Sequence, residues 1–150
     1  MKPIPDPENA PVLRTDFSDP AAWEDIRVEI QKPVGRLQFR ANVEFIDDPQ
    51  FADLTTNQLL ELLPVTYNHT FIIVADRITM SHPEHPLLVI DLFDKPTREF
   101  RAIPKQIQGI ENNLSIANMD FEDFADAVYA DGVFRGFPGE ENNPWLSSEV

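Results

Sequence analysis

The chain has 150 residues, with 26 Asp and Glu against 12 Lys and Arg, so its formal net charge is −14. A charge of this sign repels phosphate backbones and anionic lipid surfaces, which argues against nucleic acid and membranes as partners and leaves a basic protein or a cation. The chain has no cysteine, so disulfides, thiolate metal sites and cysteine nucleophiles are excluded.

The length and a hydrophobic content of 42% suit one domain with one core. Residues 1–11 are polar and proline-rich, and we expect a disordered arm there, a single α/β domain over residues 12–137 and a flexible acidic tail over residues 138–150. The tail carries Trp145, which could belong to a docking motif or fold back onto the domain. No apolar run approaches the ~20 residues of a membrane span and the first residues lack a signal-peptide core, so we expect a soluble cytoplasmic protein.

The first predicted elements are a strand, a helix and a second strand. Val12–Phe17 is a short strand candidate. Asp19 followed by Pro20 is typical of a helix start, because Asp caps the free N–H groups and Pro fits the first helical position. Leu37–Ile46 alternates between apolar and polar residues, which predicts a strand with one polar face.

The next elements are a second helix and three strands. Thr55 and Gln58 have the spacing of a capping box, which predicts a helix start. The nearly continuous apolar runs His69–Asp76 and Leu87–Phe93 indicate strands that are buried on both faces. Arg98–Ile103 is a shorter strand candidate.

A third helix is predicted after Asp120, whose side chain can cap it. Phe121, Phe124 and Ala125 form its apolar stripe. The pair Asp131–Gly132 is expected to close the helix, because glycine readily adopts the left-handed conformation of such a turn.

The order β-α-β-α-β-β-β-α predicts a single mixed, mostly parallel sheet of about five strands with three helices. Strands joined by a helix can run parallel, which applies to the first three strands. The loop between the third and fourth strands is too short for a parallel crossover, so the fourth strand should run antiparallel. The turn at Asp94–Thr97 should then join the fourth and fifth strands as a hairpin.

This topology gathers polar residues at one edge of the sheet, where the first three strands end and the fourth begins. We call this edge the rim; ligands of open α/β sheets bind at such an edge. The segment that leaves the fifth strand should also emerge there. The residues expected at the rim are Asp16, Asp47, Asp48, Asp76, Arg77, His82, Glu84, His85, Glu111, Asn112 and Asn113.

One hypothesis for the rim is a divalent metal site that includes His82, Glu84 and His85. His82 and His85 with Asp16 or Asp76 would be the ligands, and Glu84 would act as a base. The alternative is a solvated, proline-bounded turn.

A second hypothesis for the rim is a small-ligand site formed by Arg14, Asp16, Asp76, Asn112 and Asn113. The alternative for the two asparagines is that their amides satisfy the backbone of a turn.

Three segments together resemble a family of small uncharacterised proteins catalogued only as a domain of unknown function. The segments are RTDFSD, HPEHPLLVIDL and ENNLSIANMDF. The resemblance covers roughly residues 12–137 and implies that these segments are characteristic of the family. It implies no activity, cofactor or catalytic residue.

The sequence favours a non-enzymatic binding or protein-interaction domain, with a basic protein as the expected partner. It contains no G-x-S-x-G motif and no glycine-rich phosphate-binding loop, so we expect no cofactor. A metal-assisted enzyme or a small-ligand-binding protein that uses the rim is the alternative.

Overall fold

Six strands form one mixed sheet in the computed structural model, which describes residues 2–143. The strands are β1 (Ala10–Arg14), β2 (Val43–Ile46), β3 (Phe71–Ala75), β4 (Leu87–Asp91), β5 (Glu99–Ala102) and β6 (Val133–Phe134). The α-helices are α1 (Pro20–Gln31), α2 (Thr56–Glu61), α3 (Arg77–Ser81), α4 (Ile107–Ser115) and α5 (Phe121–Ala125). The prediction for Trp145 falls on residues 144–150, outside the described residues.

The strand order is β2-β1-β3-β4-β5-β6. β1 pairs in parallel with both β2 and β3, while β4 runs antiparallel to β3 and β5, as predicted. β5 and β6 are parallel. The α/β class and the mixed sheet are therefore confirmed, but the described residues contain six strands and five α-helices instead of about five and three.

The predicted helix starts of α1 and α2 are confirmed at the level of single hydrogen bonds. The Asp19 side chain accepts a hydrogen bond from the backbone N–H of Ala22 at 3.0 Å. At the start of α2, the Thr55 hydroxyl accepts from the Gln58 N–H at 3.2 Å and the Gln58 side chain accepts from the Thr55 N–H at 2.9 Å. These bonds satisfy N–H groups that would otherwise lack a partner in the first turn.

The three central strands β1, β3 and β4 are buried on both faces. α1, α4 and α5 cover the face that carries Val12, and α2 with residues near Ile4 covers the face that carries Leu13. On the first face, the α1 side chains Trp23, Ile26 and Ile30 are all at most 4% exposed. Burial of each such side chain contributes about 1.5–3 kcal/mol, so packing holds α1 more firmly than its cap does.

The second strand is shorter than the alternation of residues 37–46 predicted. Residues 43–46 pair with β1, but Phe39 forms an isolated antiparallel bridge with Val34. Gln38 has a φ of 57°, which turns the chain away from the sheet. Leu37 and Phe39 are 62% and 52% exposed, whereas Ala41, Val43 and Phe45 pack against the core, so only the second half of the alternation marks a partly buried face.

Three elements were not predicted: α3, α4 and β6. α3 occupies the start of the segment that was expected to be a loop, and β6 is a two-residue strand. The third predicted helix is present as α5 but ends at Ala125, earlier than the stop expected at Gly132. Within residues 2–143 no helix combines the length and the apolar character that a membrane span requires.

Residues 2–9, expected to belong to a disordered arm, make specific contacts with the domain. Ile4 is 1% exposed, and its N–H donates to the carbonyl of Leu62 at 2.8 Å. β1 begins at Ala10, two residues before the strand predicted from Val12. The buried Ile4 packs in the core on the face of the sheet that carries Leu13, and polar contacts such as that between Lys2 and Asp48 also hold the segment.

Candidate functional site

The rim lies where β1, β2 and β3 end and where β4 begins. β2 and β3 lie on opposite sides of β1, and α1 and α2 cover opposite faces of the sheet. The direction in which successive strands are added to the sheet therefore changes between β1 and β3. The crevice outside such a change of direction is where open α/β sheets bind ligands. Arg14, Asp16 and Asp76 of the predicted ligand set lie at the ends of β1 and β3.

Arg14 is buried among aromatic rings and is committed to the fold. Its guanidinium carbon lies 4.3 Å from the ring centroid of Phe17 and 5.3 Å from that of Trp23. Its Nε donates to the carbonyl of Asp16 at 3.0 Å, and its Nη1 donates to Asp47 Oδ1 at 3.2 Å. The guanidinium therefore clamps the loops after β1 and β2 together.

Asp16 is 6% exposed and shapes the turn that leads into α1. Its Oδ1 accepts hydrogen bonds from both the N–H and the hydroxyl of Ser18. A carboxylate that caps the residue two positions ahead is typical of a turn. Asp16 therefore stabilises the turn between β1 and α1.

Asp76 combines two structural contacts. Its carboxylate pairs with Arg101 through two hydrogen bonds of 2.9 and 2.7 Å, and it caps α3 by accepting from the Thr79 N–H at 3.1 Å. Burial by itself would raise the pKa of Asp76, but the hydrogen bonds from Arg101 and Thr79 outweigh it and lower the pKa below its ordinary value. The charged form is therefore favoured, which suits a structural ion pair better than a proton acceptor.

The segment HPEHP is tied to the far edge of the sheet by Arg135. The guanidinium makes paired hydrogen bonds to Glu84, at 2.9 and 2.8 Å, and to Asp131, at 3.1 and 2.7 Å. It also lies 4.9 Å from the ring centroid of Tyr129. The hydrogen bonds from Arg135 lower the pKa of both carboxyl groups below their ordinary values.

The two histidines of this segment also have local partners. His82 Nδ1 accepts from the Glu84 N–H at 3.0 Å, and His85 Nδ1 lies 2.9 Å from the carbonyl of Thr79. Because a carbonyl only accepts, His85 Nδ1 carries the proton in this contact. Within residues 2–143 no three His, Asp or Glu side chains converge in a group that could hold a metal ion. The predicted metal set of His82, Glu84 and His85 therefore does not assemble.

Asn112 and Asn113 do not lie at the rim. They belong to the C-terminal half of α4, which starts near the end of β5 and runs back towards the opposite edge of the sheet. Asn113 Nδ2 donates to the carbonyl of Gly109 at 2.8 Å, and its Oδ1 accepts from Asn118 Nδ2 at 2.9 Å. The amide of Asn113 therefore helps to end the helix, and the predicted ligand set is split between two edges of the molecule.

An open groove lies beside the rim, between α1, the loop at residues 82–86 and the turn at residues 103–105. We call it the α1 groove; its volume is about 630 Å³. Its apolar residues are Val28, Pro83, Ile103 and Pro104, and its charged residues include Asp25, Glu29, Lys32 and Lys105. This combination is typical of a surface that holds an apolar side chain within a polar border.

A second, more polar cavity of about 340 Å³ lies at the opposite edge, where β1 and β3 begin. We call it the amino-edge cavity. Glu111, from the ENN segment, lies in its wall and is 3% exposed. The sequence prediction placed this segment at the rim, so it missed the cavity.

Two residues that organise these sites, Arg101 and Arg135, were missed, and Glu111 was expected at the rim but lies in the amino-edge cavity. Arg101 alternates with the buried Phe100 along β5, which shows its face but not its partner on β3. Glu111 lies four positions after Ile107 on the buried side of α4. A charged residue within this apolar stripe was the sequence signal that could have indicated a buried carboxylate. No sequence pattern links Arg135 with Glu84, which is 51 residues away.

The geometry defines an α/β domain whose rim carboxylates are held by ion pairs and helix caps. Residues 9–137 match the family described as Domain of unknown function (DUF6924), and the chain belongs to that family. The three segments that carried the resemblance all lie within the matched range. A comparison with curated proteins finds none that matches.

Proposed function

We propose that this chain is a non-enzymatic protein-interaction domain that binds a basic partner through the α1 groove. The observation that supports this proposal is that charged side chains of the rim are paired within the chain while the groove beside them is open. Asp76, Glu84 and Arg14 pair with other side chains of the chain, whereas the neighbouring groove is open and partly apolar. Groups held in such pairs stabilise the fold and are poorly suited to proton transfer at neutral pH.

The charge of the chain favours a basic partner. With 26 acidic and 12 basic side chains, at least 14 carboxylates remain even if each Lys and Arg neutralises one of them. A field of this sign raises the rate at which a basic protein is encountered and disfavours acidic competitors. The field acts over a long range and does not by itself select a binding surface.

The α1 groove offers a defined surface at which a partner can bind. Val28 is 47% exposed on α1, opposite Pro104, and offers an apolar contact to one side chain of a partner. Asp25 lies one helical turn before Val28 and forms no ion pair in the described part of the chain. The occupant that fits is an extended segment with an apolar residue next to Lys or Arg.

A library of displayed 12-residue peptides tests the proposal against two matched variants. Val28→Glu places a charge in the groove, and Val65→Glu makes the same change at a fully exposed valine in the loop after α2. Both variants add one negative charge, and glutamate is tolerated in a helix at least as well as valine. We expect the native chain to select peptides in which an apolar residue adjoins Lys or Arg. Val28→Glu should weaken their binding by about tenfold, the cost of about 1.4 kcal/mol of lost apolar contact.

The control separates docking from simple charge attraction. If attraction alone were responsible, both variants would bind basic peptides as well as the native chain or better, and the groove would be the wrong surface. At about 150 mM salt, charges more than about 8 Å apart are largely screened, so failure to select any basic peptide there would contradict the proposed class of partner.

A further inference from the structure

The amino-edge cavity is lined by polar groups, and its described lining contains no Lys or Arg that could neutralise its acids. Its polar wall is formed by Glu8, Asn9, Asn42, Asn68, His69 and Glu111, and none of the described residues that line it is Lys or Arg. The cavity lies at the edge of the sheet opposite the rim, so it is separate from the α1 groove. Its volume of about 340 Å³ is at the lower end of the range for small-molecule sites.

Glu111 is the decisive side chain of this cavity. It is 3% exposed, its Oε1 accepts from the Asn42 N–H at 2.7 Å, and its Oε2 accepts from the Ser115 hydroxyl at 2.7 Å. No Lys, Arg or His of residues 2–143 forms an ion pair with it. Burial of a carboxylate without a neighbouring cation costs free energy even when the carboxylate is hydrogen-bonded, and a cationic ligand would offset that cost.

The neighbouring groups favour a donor-rich ligand. Each carboxylate oxygen of Glu111 has a second lone pair besides the one used within the protein. His69 Nε2 lies 2.8 Å from the carbonyl of Pro7 and therefore donates to it, which makes Nδ1 an acceptor in the neutral ring. The side-chain amides of Asn9, Asn42 and Asn68 supply further acceptor oxygens.

We infer that the amino-edge cavity binds a small organic cation, and that its ammonium or guanidinium N–H groups donate to Glu111. A charge-assisted hydrogen bond of this kind is about twice as strong as a neutral one. An anionic ligand would meet two carboxylates, Glu8 and Glu111, and no compensating cation. A divalent metal is disfavoured because no group of three ligating side chains converges within residues 2–143.

Isothermal titration calorimetry on the whole chain tests this inference with defined probes. The probes are 1,4-diaminobutane, spermidine and methylguanidine, with choline as a cation that lacks N–H donors and acetate as an anion. Glu111→Gln keeps the shape and one acceptor oxygen in the cavity, replaces the other oxygen with an NH2 donor and removes the charge. Glu122→Gln makes the same change at an exposed position on α5.

We expect saturable binding of at least one N–H cation, with choline and acetate inactive. Glu111→Gln should weaken binding by about tenfold or more, while Glu122→Gln should change the dissociation constant by less than about twofold. Equal weakening in the two variants would show attraction to overall charge and would overturn the inference. So would the absence of binding by all three N–H probes.

A measurement on the native chain keeps the inference falsifiable if Glu111→Gln fails to fold. During titration with the same probes, NMR shifts should change at the Asn42 backbone amide and at the side-chain amides of Asn9 and Asn68. Shift changes spread over exposed carboxylates elsewhere would contradict a site in the cavity. The Val28→Glu variant should bind the probes normally, so failure of the peptide experiment and failure of this one are distinguishable.

Discussion

The carboxylate of Asp76 shows how neighbouring side chains can hold a residue in structural contacts that make it a poor proton acceptor. Its pair with Arg101 joins β3 to β5 across β4, and its cap fixes the start of α3. The Arg101 and Asp76 side chains are 19% and 24% exposed, which places the pair between a surface ion pair and a buried one. We therefore expect a contribution of about 1–2 kcal/mol to the free energy of unfolding at neutral pH.

The first prediction is a pH-dependent loss of stability in Asp76→Asn. The folded-state pKa of Asp76 is lowered, so its contribution is fully present above the ordinary carboxyl pKa of about 3.9. The contribution is lost as the pH falls through the lower folded-state value. Urea unfolding should therefore show the native chain about 1–2 kcal/mol more stable than Asp76→Asn at pH ~7, with a smaller difference at pH ~3.

Asp94→Asn serves as the control for this measurement, because Asp94 is exposed and forms no ion pair in the described part of the chain. Its difference from the native chain should stay small across the same pH range. A gap for Asp76→Asn that is unchanged at low pH would mean that the charge of Asp76 is not the source of its effect.

A second prediction at the residue scale concerns Arg14, which is 7% exposed. Arg14→Lys keeps the positive charge but loses the planar group that lies against Phe17 and Trp23. We expect a loss of about 1–2 kcal/mol in the free energy of unfolding, measured by urea denaturation. Arg36→Lys, at an exposed position, should change it by less than about 0.5 kcal/mol.

The sequence predicted the position of these rim residues but not their partners. Asp16 and Asp76 follow apolar runs, and this pattern is enough to place them at strand ends. Their partners depend on strand register and side-chain direction, which no local pattern contains. Glu84 is a further example, because its carboxylate pairs with Arg135, a partner that the sequence pattern did not indicate.

At the scale of elements, α2 is a short predicted helix that covers the face of the sheet carrying Leu13. It has six residues, which is too short for a stable helix on propensity alone, so its cap and its packing must hold it in place. Leu59 is 1% exposed and connects α2 to the second core. The capping box formed by Thr55 and Gln58 sets where this helix begins.

The third prediction is that Thr55→Ala lowers the free energy of unfolding by about 1 kcal/mol, because the N–H of Gln58 loses its acceptor. Asn57→Ala, two residues further along, removes an exposed side chain of low helix propensity and should be neutral or slightly stabilising. Chemical denaturation of both variants checks the pair. Equal destabilisation of the two would indicate a general sensitivity of α2 and not a specific cap.

Three helices of the described chain were predicted from their start signals, whereas α3, which Asp76 caps, and α4 were missed. α1, α2 and α5 each follow a residue that can cap. α4 follows a proline turn without a side-chain cap, and the asparagines at its end suggested a loop. Its apolar spacing at Ile107, Ile110 and Leu114 was present in the sequence and would have identified it.

At the scale of the whole molecule, the missed helix changed the location of a site. The direction of each of the five predicted strands was correct, and with it the position of the rim. α4 carries the chain from the end of β5 back to the opposite edge, so the ENN segment lies in the amino-edge cavity. One unrecognised helix therefore separated two sets of residues that had been expected to meet.

The last prediction concerns the excess of negative charge over the whole molecule. Ion pairs at a protein surface contribute about 0–1 kcal/mol each and weaken with salt, whereas repulsion among unpaired carboxylates is relieved by salt. Because acidic side chains exceed basic ones by 14, we expect repulsion to be the larger effect.

Between about 10 and 300 mM NaCl, the melting temperature should rise by about 3 °C, which corresponds to about 1 kcal/mol for a chain of this size. The same rise in KCl would identify screening as the cause, since specific binding of one cation would separate the two salts. A melting temperature that falls with salt would mean that ion pairs such as those of Arg101 and Arg135 outweigh the repulsion. The long-range field that steers a basic partner in our proposal would then be weaker than the net charge implies, because a larger share of the carboxylates would already be neutralised within the fold.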